Sequence, residues 1–123
     1  MGDVVKLADG PDPREFDRRE KRAMREQEMM QRAHERVEWR EDELAYAEQI
    51  VAQHERAGSP GATLWTVKDR VRAARVRLVA ARETYRQADG RAKAAWDDVL
   101  ALFGGSYERM SRWEDRRWGC EVA

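Results

Sequence analysis

The sequence predicts an all-α fold: a long antiparallel helical hairpin, of coiled-coil type, with a short third helix at its C-terminal end. Three observations lead there. Phe16, Ala23, Met30, Val37, Leu44 and Val51 recur every seven residues. Val67, Val71, Ala74, Leu78, Ala81, Tyr85, Ala88, Ala92, Ala95, Val99 and Leu102 then alternate in steps of four and three. Between the two ladders lies Gly58-Ser59-Pro60-Gly61. A repeat of this period keeps one apolar seam turned toward a partner helix, and the Gly/Pro segment lets the chain turn back on itself.

The elements follow in order. Residues 1–11 carry Gly2, Gly10 and Pro11 and read as a flexible N-terminal tail, although Val4, Val5 and Leu7 could dock. Asp12-Pro13-Arg14-Glu15 is a helix start. Asp12 can cap, Pro13 suits the first helical position, and Glu15 completes a pattern like a capping box. The hairpin is expected over 12–103, with helices at about 13–57 and 66–103 and a turn at 58–65. Gly58 stops the first helix and Pro60 blocks its continuation. Thr66-Val67-Lys68-Asp69 offers a second capping-box start, with Thr63 as an earlier alternative. Gly90 weakens the second helix without breaking it, because the ladder passes through Ala88 and Ala92. Gly104-Gly105 ends that helix. Ser106 caps a third helix over 106–118 with Tyr107, Met110 and Trp113 on its apolar face, and 119–123 form a tail.

One register satisfies the whole hairpin. With the first ladder at heptad position a, folding about the turn pairs Val51 with Val71, Leu44 with Leu78, and Val37 with Tyr85. It also pairs Met30 with Ala92 and Ala23 with Val99. The two residue numbers of every pair total 122. The flanking positions agree with this, since an antiparallel pair sets e against e and g against g. The e pairs are Glu48 with Arg75, Glu41 with Arg82, and His34 with Asp89. The g pairs include Glu43 with Arg77 and Arg22 with Asp98. Residues 35–55 hold seven acids and two bases, net −5, and 67–87 hold seven bases and two acids, net +5. Residues 14–25 are net +3 (six bases, three acids), and 97–108 are net −3. Such pairs select orientation more than they stabilise it. The same complementarity would serve a domain-swapped dimer, but the Gly/Pro linker favours the intrachain hairpin. The d positions are lean. Ala74, Ala81, Ala88 and Ala95 face Ala33 and Ala47, while Arg19, Glu26, Arg40 and His54 also fall at d. Arg40 can lay its stem over Ala81 and turn its charge outward.

Composition narrows the function classes. The chain has 123 residues, 39% of them charged, with formal net charge zero, and mean hydropathy is −0.94. A neutral balance removes the usual electrostatic case for nucleic acid or an anionic membrane. No apolar run of membrane-spanning length and no signal peptide is visible. A single cysteine, Cys120, rules out an internal disulfide framework and suits a reducing, cytoplasmic setting.

Large apolar residues remain outside the seam. Met29, Trp39, Tyr46 and Ile50 occupy c and g of the first helix. Trp65, Val76, Val79, Trp96, Leu100 and Phe103 occupy e, b and f of the second, on the opposite flank. The short helix can cover only the end near Trp96, Leu100 and Phe103. Two readings stay open: an ordinary three-helix core with scattered exposed aromatics, or an interface patch of Met29, Trp39, Tyr46 and Ile50, with Trp113 and Trp118 second. Aromatic residues are enriched at such interfaces.

Chemistry finds little support. His34-Glu35-Arg36-Val37-Glu38 misses the HExxH zinc motif because Glu38 stands where the second histidine belongs. Neither histidine has a glutamate three residues before it, as a helical di-metal site needs. Cys120 has no histidine near it in sequence. Gly104-Gly105-Ser106 lacks the rest of a phosphate loop. No catalytic residue, metal or cofactor is therefore expected. Arg72 and Arg86, the outward members of a basic run whose Arg75, Arg77 and Arg82 meet acids, are the only basis for a nucleic-acid regulator.

Among hairpin families, secretion substrates carry a Trp-x-Gly turn that is absent here. Polymerase-inserting coiled coils carry acids at a tip that here reads Ala57-Gly58-Ser59-Pro60-Gly61-Ala62. The chain has the general look of small helical assembly proteins of bacteriophages, and it resembles them in that respect alone. That likeness implies a structural or assembly role, associated with the virion. The expected function is a non-enzymatic, self-associating protein-interaction module: a scaffold, assembly factor or adaptor. Its expected partner is protein, rather than membrane or nucleic acid.

Overall fold

A computed structural model describes residues 10–119. Of the expected tails at 1–11 and 119–123, residues 1–9 and 120–123, with Val4, Val5, Leu7 and Cys120, lie outside the described residues. Three helices follow in order: α1 (Pro13–Arg56), α2 (Gly61–Ala101) and α3 (Tyr107–Trp118). No strand occurs among the described residues.

The helix ends follow from local chemistry. Arg14 N–H donates to Asp12 Oδ1 at 3.0 Å, and Phe16 N–H donates to the Asp12 carbonyl at 3.0 Å. Asp12 thus caps α1 as its position suggests. Glu15 does not close a capping box, because Arg18 and Arg19 hold its carboxylate. At the other end Gly58 takes φ 65°. Its N–H donates to the Glu55 carbonyl at 3.2 Å, and Ser59 N–H donates to that of His54 at 3.0 Å. These two bonds make a Schellman stop.

The start of α2 corrects the sequence reading. The helix begins at Gly61, before Thr66 and close to the Thr63 alternative, so the turn is short. Leu64 N–H already donates to the Pro60 carbonyl at 3.0 Å. Thr66 is interior, and its hydroxyl donates back to the Ala62 carbonyl at 3.0 Å, a common use of a mid-helix threonine. The physical reason is Leu64. It stands seven residues before Val71 and carries the seam one turn further, so helix is favoured over loop. Gly90 lies within α2, as expected. Past Ala101 the chain tightens into i→i−3 bonds, and Gly104 and Gly105 take φ 64° and 82°. Ser106 caps α3 by accepting from Arg109 N–H at 3.2 Å, and Gly119 closes it in the left-handed region.

The chain divides into two compact units. Among the described residues, one holds 10–27 and 90–119, and the other is Glu28–Asp89. The first, unit 1, has an aromatic core. Phe16, Ala23, Ala95, Val99, Phe103, Met110 and Trp113 are buried together, with Trp96, Leu100 and Leu102 packed on them. The Phe16 ring meets Phe103 edge-on at 5.9 Å and Trp113 at 4.8 Å between centroids. The third helix therefore packs on its own chain. Ala23 and Val99, paired by the register, are both fully buried here. Arg22 lies 3.7 Å from Asp98, as expected. Arg117 forks onto both oxygens of Asp17 at 2.7 and 2.8 Å. Two polar d residues also find partners. Arg19 donates to the Asp98 carbonyl at 2.8 Å, and Glu26 has the Arg91 guanidinium 3.4 Å away. Trp96 Nε1 donates to Gln27 Oε1 at 2.9 Å.

Gly10 shows how closely this core is covered. It takes φ 111°, and a Cβ placed there would sit 2.5 Å from Trp113 Cδ1 and 2.8 Å from its Nε1. Gly10→Ala is expected to cost about 1–3 kcal/mol through backbone strain and overpacking, seen as a lower urea midpoint.

Two carboxylates of unit 1 respond to pH in opposite directions. The hydrogen bonds from Arg117 hold Asp17 below its ordinary value. That pair contributes above the ordinary carboxylate range, and its contribution fades as pH falls through the lowered value. Glu20 is pushed up by burial, then by the charges of Glu114 and Asp17. Its ionised form is therefore a penalty at neutral pH, and the penalty fades as pH falls through the raised value. Glu20→Gln should raise the urea midpoint at neutral pH. Asp17→Asn should lower it. Both differences should shrink under acid, and unfolding curves at two pH values check this.

Unit 2 has a lean core. Val37, Leu78 and Ala81 are buried together, with Leu44 and Tyr85 against them. This matches the expected pairing of Leu44 with Leu78 and Val37 with Tyr85. Val67, Val71 and Ala74 continue the buried line along α2. The expected ion pairs Glu43–Arg77 and Glu41–Arg82 form at 2.8 and 3.6 Å. His34, expected opposite Asp89, sets its Nε2 3.0 Å from Glu38. His54 sits 2.8 Å from the Ser59 hydroxyl.

Candidate interaction surface

The sequence-predicted patch divides when placed on the structure. In unit 2, α1 leaves Trp39 56%, Tyr46 66% and Met29 51% exposed, with Ile50 half-buried. Trp39 and Tyr46 stand seven residues apart on one helical stripe, so both rings leave the helix in the same direction. Trp39 carries the Arg40 guanidinium over its ring at 4.4 Å.

Beside this stripe runs an open groove of about 240 Å³ lined by Tyr46, Ala47, Ile50, Val67, Ala74 and the charged side chains of Glu43, Arg70 and Arg77. Its floor is made of small d-position residues, and short side chains there leave the space a helix or loop can enter. Glu43 is fixed between Arg77 and Arg40, at 2.8 and 2.9 Å. The Arg77 hydrogen bond, then that of Arg40, holds its carboxyl below the usual range. Arg70 forms no ion pair among the described residues. The groove is thus apolar at its base and basic at its rim. The sequence reading named Tyr46 and Ile50 but missed that α2 completes the surface. The g-against-g register that pairs Glu43 with Arg77 was the available signal.

Trp113 and Trp118 separate from the patch. Trp113 is core, 6% exposed between Phe16 and Phe103, and is corrected from interface to structural residue. Trp118 is exposed, with Arg117 over its ring at 4.7 Å. Tyr107, expected on the apolar face of α3, is exposed, whereas Met110 and Trp113 are buried. The opposite flank of unit 2 exposes Trp65, Val76 and Val79.

The arginines named for nucleic acid face acids of their own helix. Arg86 donates to both oxygens of Glu83 at 2.6 and 2.9 Å, and Arg72 lies 4.0 Å from Asp69. His34, beside Glu38, has its ring 5.3 Å from that of Tyr85. No cluster of three or more His, Cys, Asp or Glu able to hold a metal occurs among the described residues. Nor is any helix among them long and apolar enough to cross a membrane.

These features define an all-α protein, a helical hairpin with a short third helix. Set beside protein-family models, curated proteins and solved structures, the chain matches none of them.

Proposed function

We propose that this protein is a non-enzymatic helical-hairpin interaction module, a scaffold, assembly factor or adaptor that works by self-association or by holding a partner protein. The observation that carries this reading is the Trp39–Tyr46 stripe beside the groove of unit 2. Two large rings more than half exposed, on one stripe and next to an apolar floor, are costly to leave in water, and such patches mark binding surfaces. The engagement of Arg72 and Arg86 with acids on their own helix reduces the charge they offer a phosphate backbone, and this favours a protein partner.

Light scattering behind size exclusion, at two protein concentrations, tests the reading. The native chain is expected as a defined dimer or larger species. Trp39→Ala with Tyr46→Ala is expected to lose that species while keeping helicity, since exposed substitutions shift the stability of a monomer by only about 0.5 kcal/mol, and to lose the concentration-dependent part of the thermal midpoint. Unchanged assembly and unchanged partner capture in the double variant would remove the stripe from the function.

A further inference from the structure

The groove and the stripe share one face, and that face has a complement within the chain itself. Tyr46 and Ile50 of α1 line the same groove as Arg70, Ala74 and Arg77 of α2. At the heptad positions flanking it, α1 carries Trp39 and Tyr46, whereas α2 carries Ala73 and Ala80. Ala80 is exposed and Ala73 partly so. Large residues on one helix and small residues on the other are self-complementary under a two-fold that exchanges the helices.

We propose that unit 2 pairs with a second copy of this chain through this face, α1 of each copy lying antiparallel over α2 of the other in a four-helix arrangement. The proposal rests on the self-association branch of the proposed function.

Register and charge select this arrangement over its alternatives. The numbers of Tyr46 and Ala73 total 119, and so do those of Trp39 and Ala80. A single register thus sets both rings over alanines at once. Beside the groove α1 presents Glu43, whereas α2 presents Arg70 and Arg77. A two-fold laying α1 over α1 would bring acid against acid. The two-fold laying α1 over α2 brings acid against base, and such differences fix partner and orientation. The face also holds charges to spare. Asp42 and Arg70 form no ion pair among the described residues.

Mixed cross-linking of full-length chains tests the arrangement. Each chain carries Cys120→Ser and one new cysteine, so any link joins two copies. Helicity by circular dichroism, matched to the native chain, confirms folding. With a short bismaleimide, the Tyr46→Cys chain is expected to link to the Ala73→Cys chain. The link should be lost when the second chain carries Val79→Cys on the opposite flank. A dimer by light scattering that gives no 46–73 link, or links equally at 79, overturns the face assignment and leaves self-association standing. A native chain that is a monomer at every concentration overturns both this proposal and the self-association branch, leaving capture of a different protein.

Discussion

Phe16→Ala is expected to destabilise the protein by about 3–5 kcal/mol, the range for emptying an aromatic core site. Phe16 is 1% exposed and touches both Phe103 and Trp113. Its removal deletes two aromatic contacts at once and leaves a space that Ala23 and Ala95 cannot fill. Geometrically favourable aromatic pairs each add roughly 0.5–1.5 kcal/mol beyond the area they bury, which places Phe16 toward the upper end. Urea unfolding should show the lower midpoint. Hydrogen exchange should show the largest loss of protection in α3 and the start of α1, because the α3 face formed by Met110 and Trp113 packs in this cluster.

Leu78→Ala is the second large effect, at about 2–5 kcal/mol. Unit 2 rests on few bulky side chains. Leu78 is 5% exposed, and its buried neighbours are Val37 and Ala81, with Leu44 and Tyr85 partly covering them. Where the d positions of α2 are mostly alanine, one leucine supplies a large share of the apolar area. The void it leaves is lined by helix backbone that cannot collapse without breaking register. Hydrogen exchange should localise the loss to residues 28–89. A Leu78→Ala midpoint equal to that of the native chain would mean that the seam does not support this unit.

The hairpin was legible because a seven-residue repeat encodes both the helix and the direction of its buried face. Val37, Leu44, Leu78 and Tyr85 meet as the register requires, and Glu43–Arg77, Glu41–Arg82 and Arg22–Asp98 form across it. Asp12, Gly58 and Ser106 act where their chemistry suggests. The start of α2 was legible only as the Thr63 alternative, because glycine and proline near Leu64 outweighed one leucine in phase with the ladder. Tyr107, expected on the apolar face of α3 with Met110 and Trp113, is exposed for a different reason. A helix of three turns has no repeat long enough to show which face meets a neighbour, and its partner surface is built from residues distant in sequence. The surface of unit 2 was half legible. Trp39 and Tyr46 fall outside the seam and must be exposed or covered by another molecule. The groove beside them comes from small residues and arginines of α2 that sequence periodicity assigns only to a helix flank.

Sedimentation equilibrium of the native chain against Trp39→Ala/Tyr46→Ala tests most directly whether this surface is what the hairpin exists to present. The native chain is expected to fit a reversible monomer–dimer or higher association, and the double variant a single monomeric species of equal helicity. Identical association of the two chains would contradict an interface built on these rings.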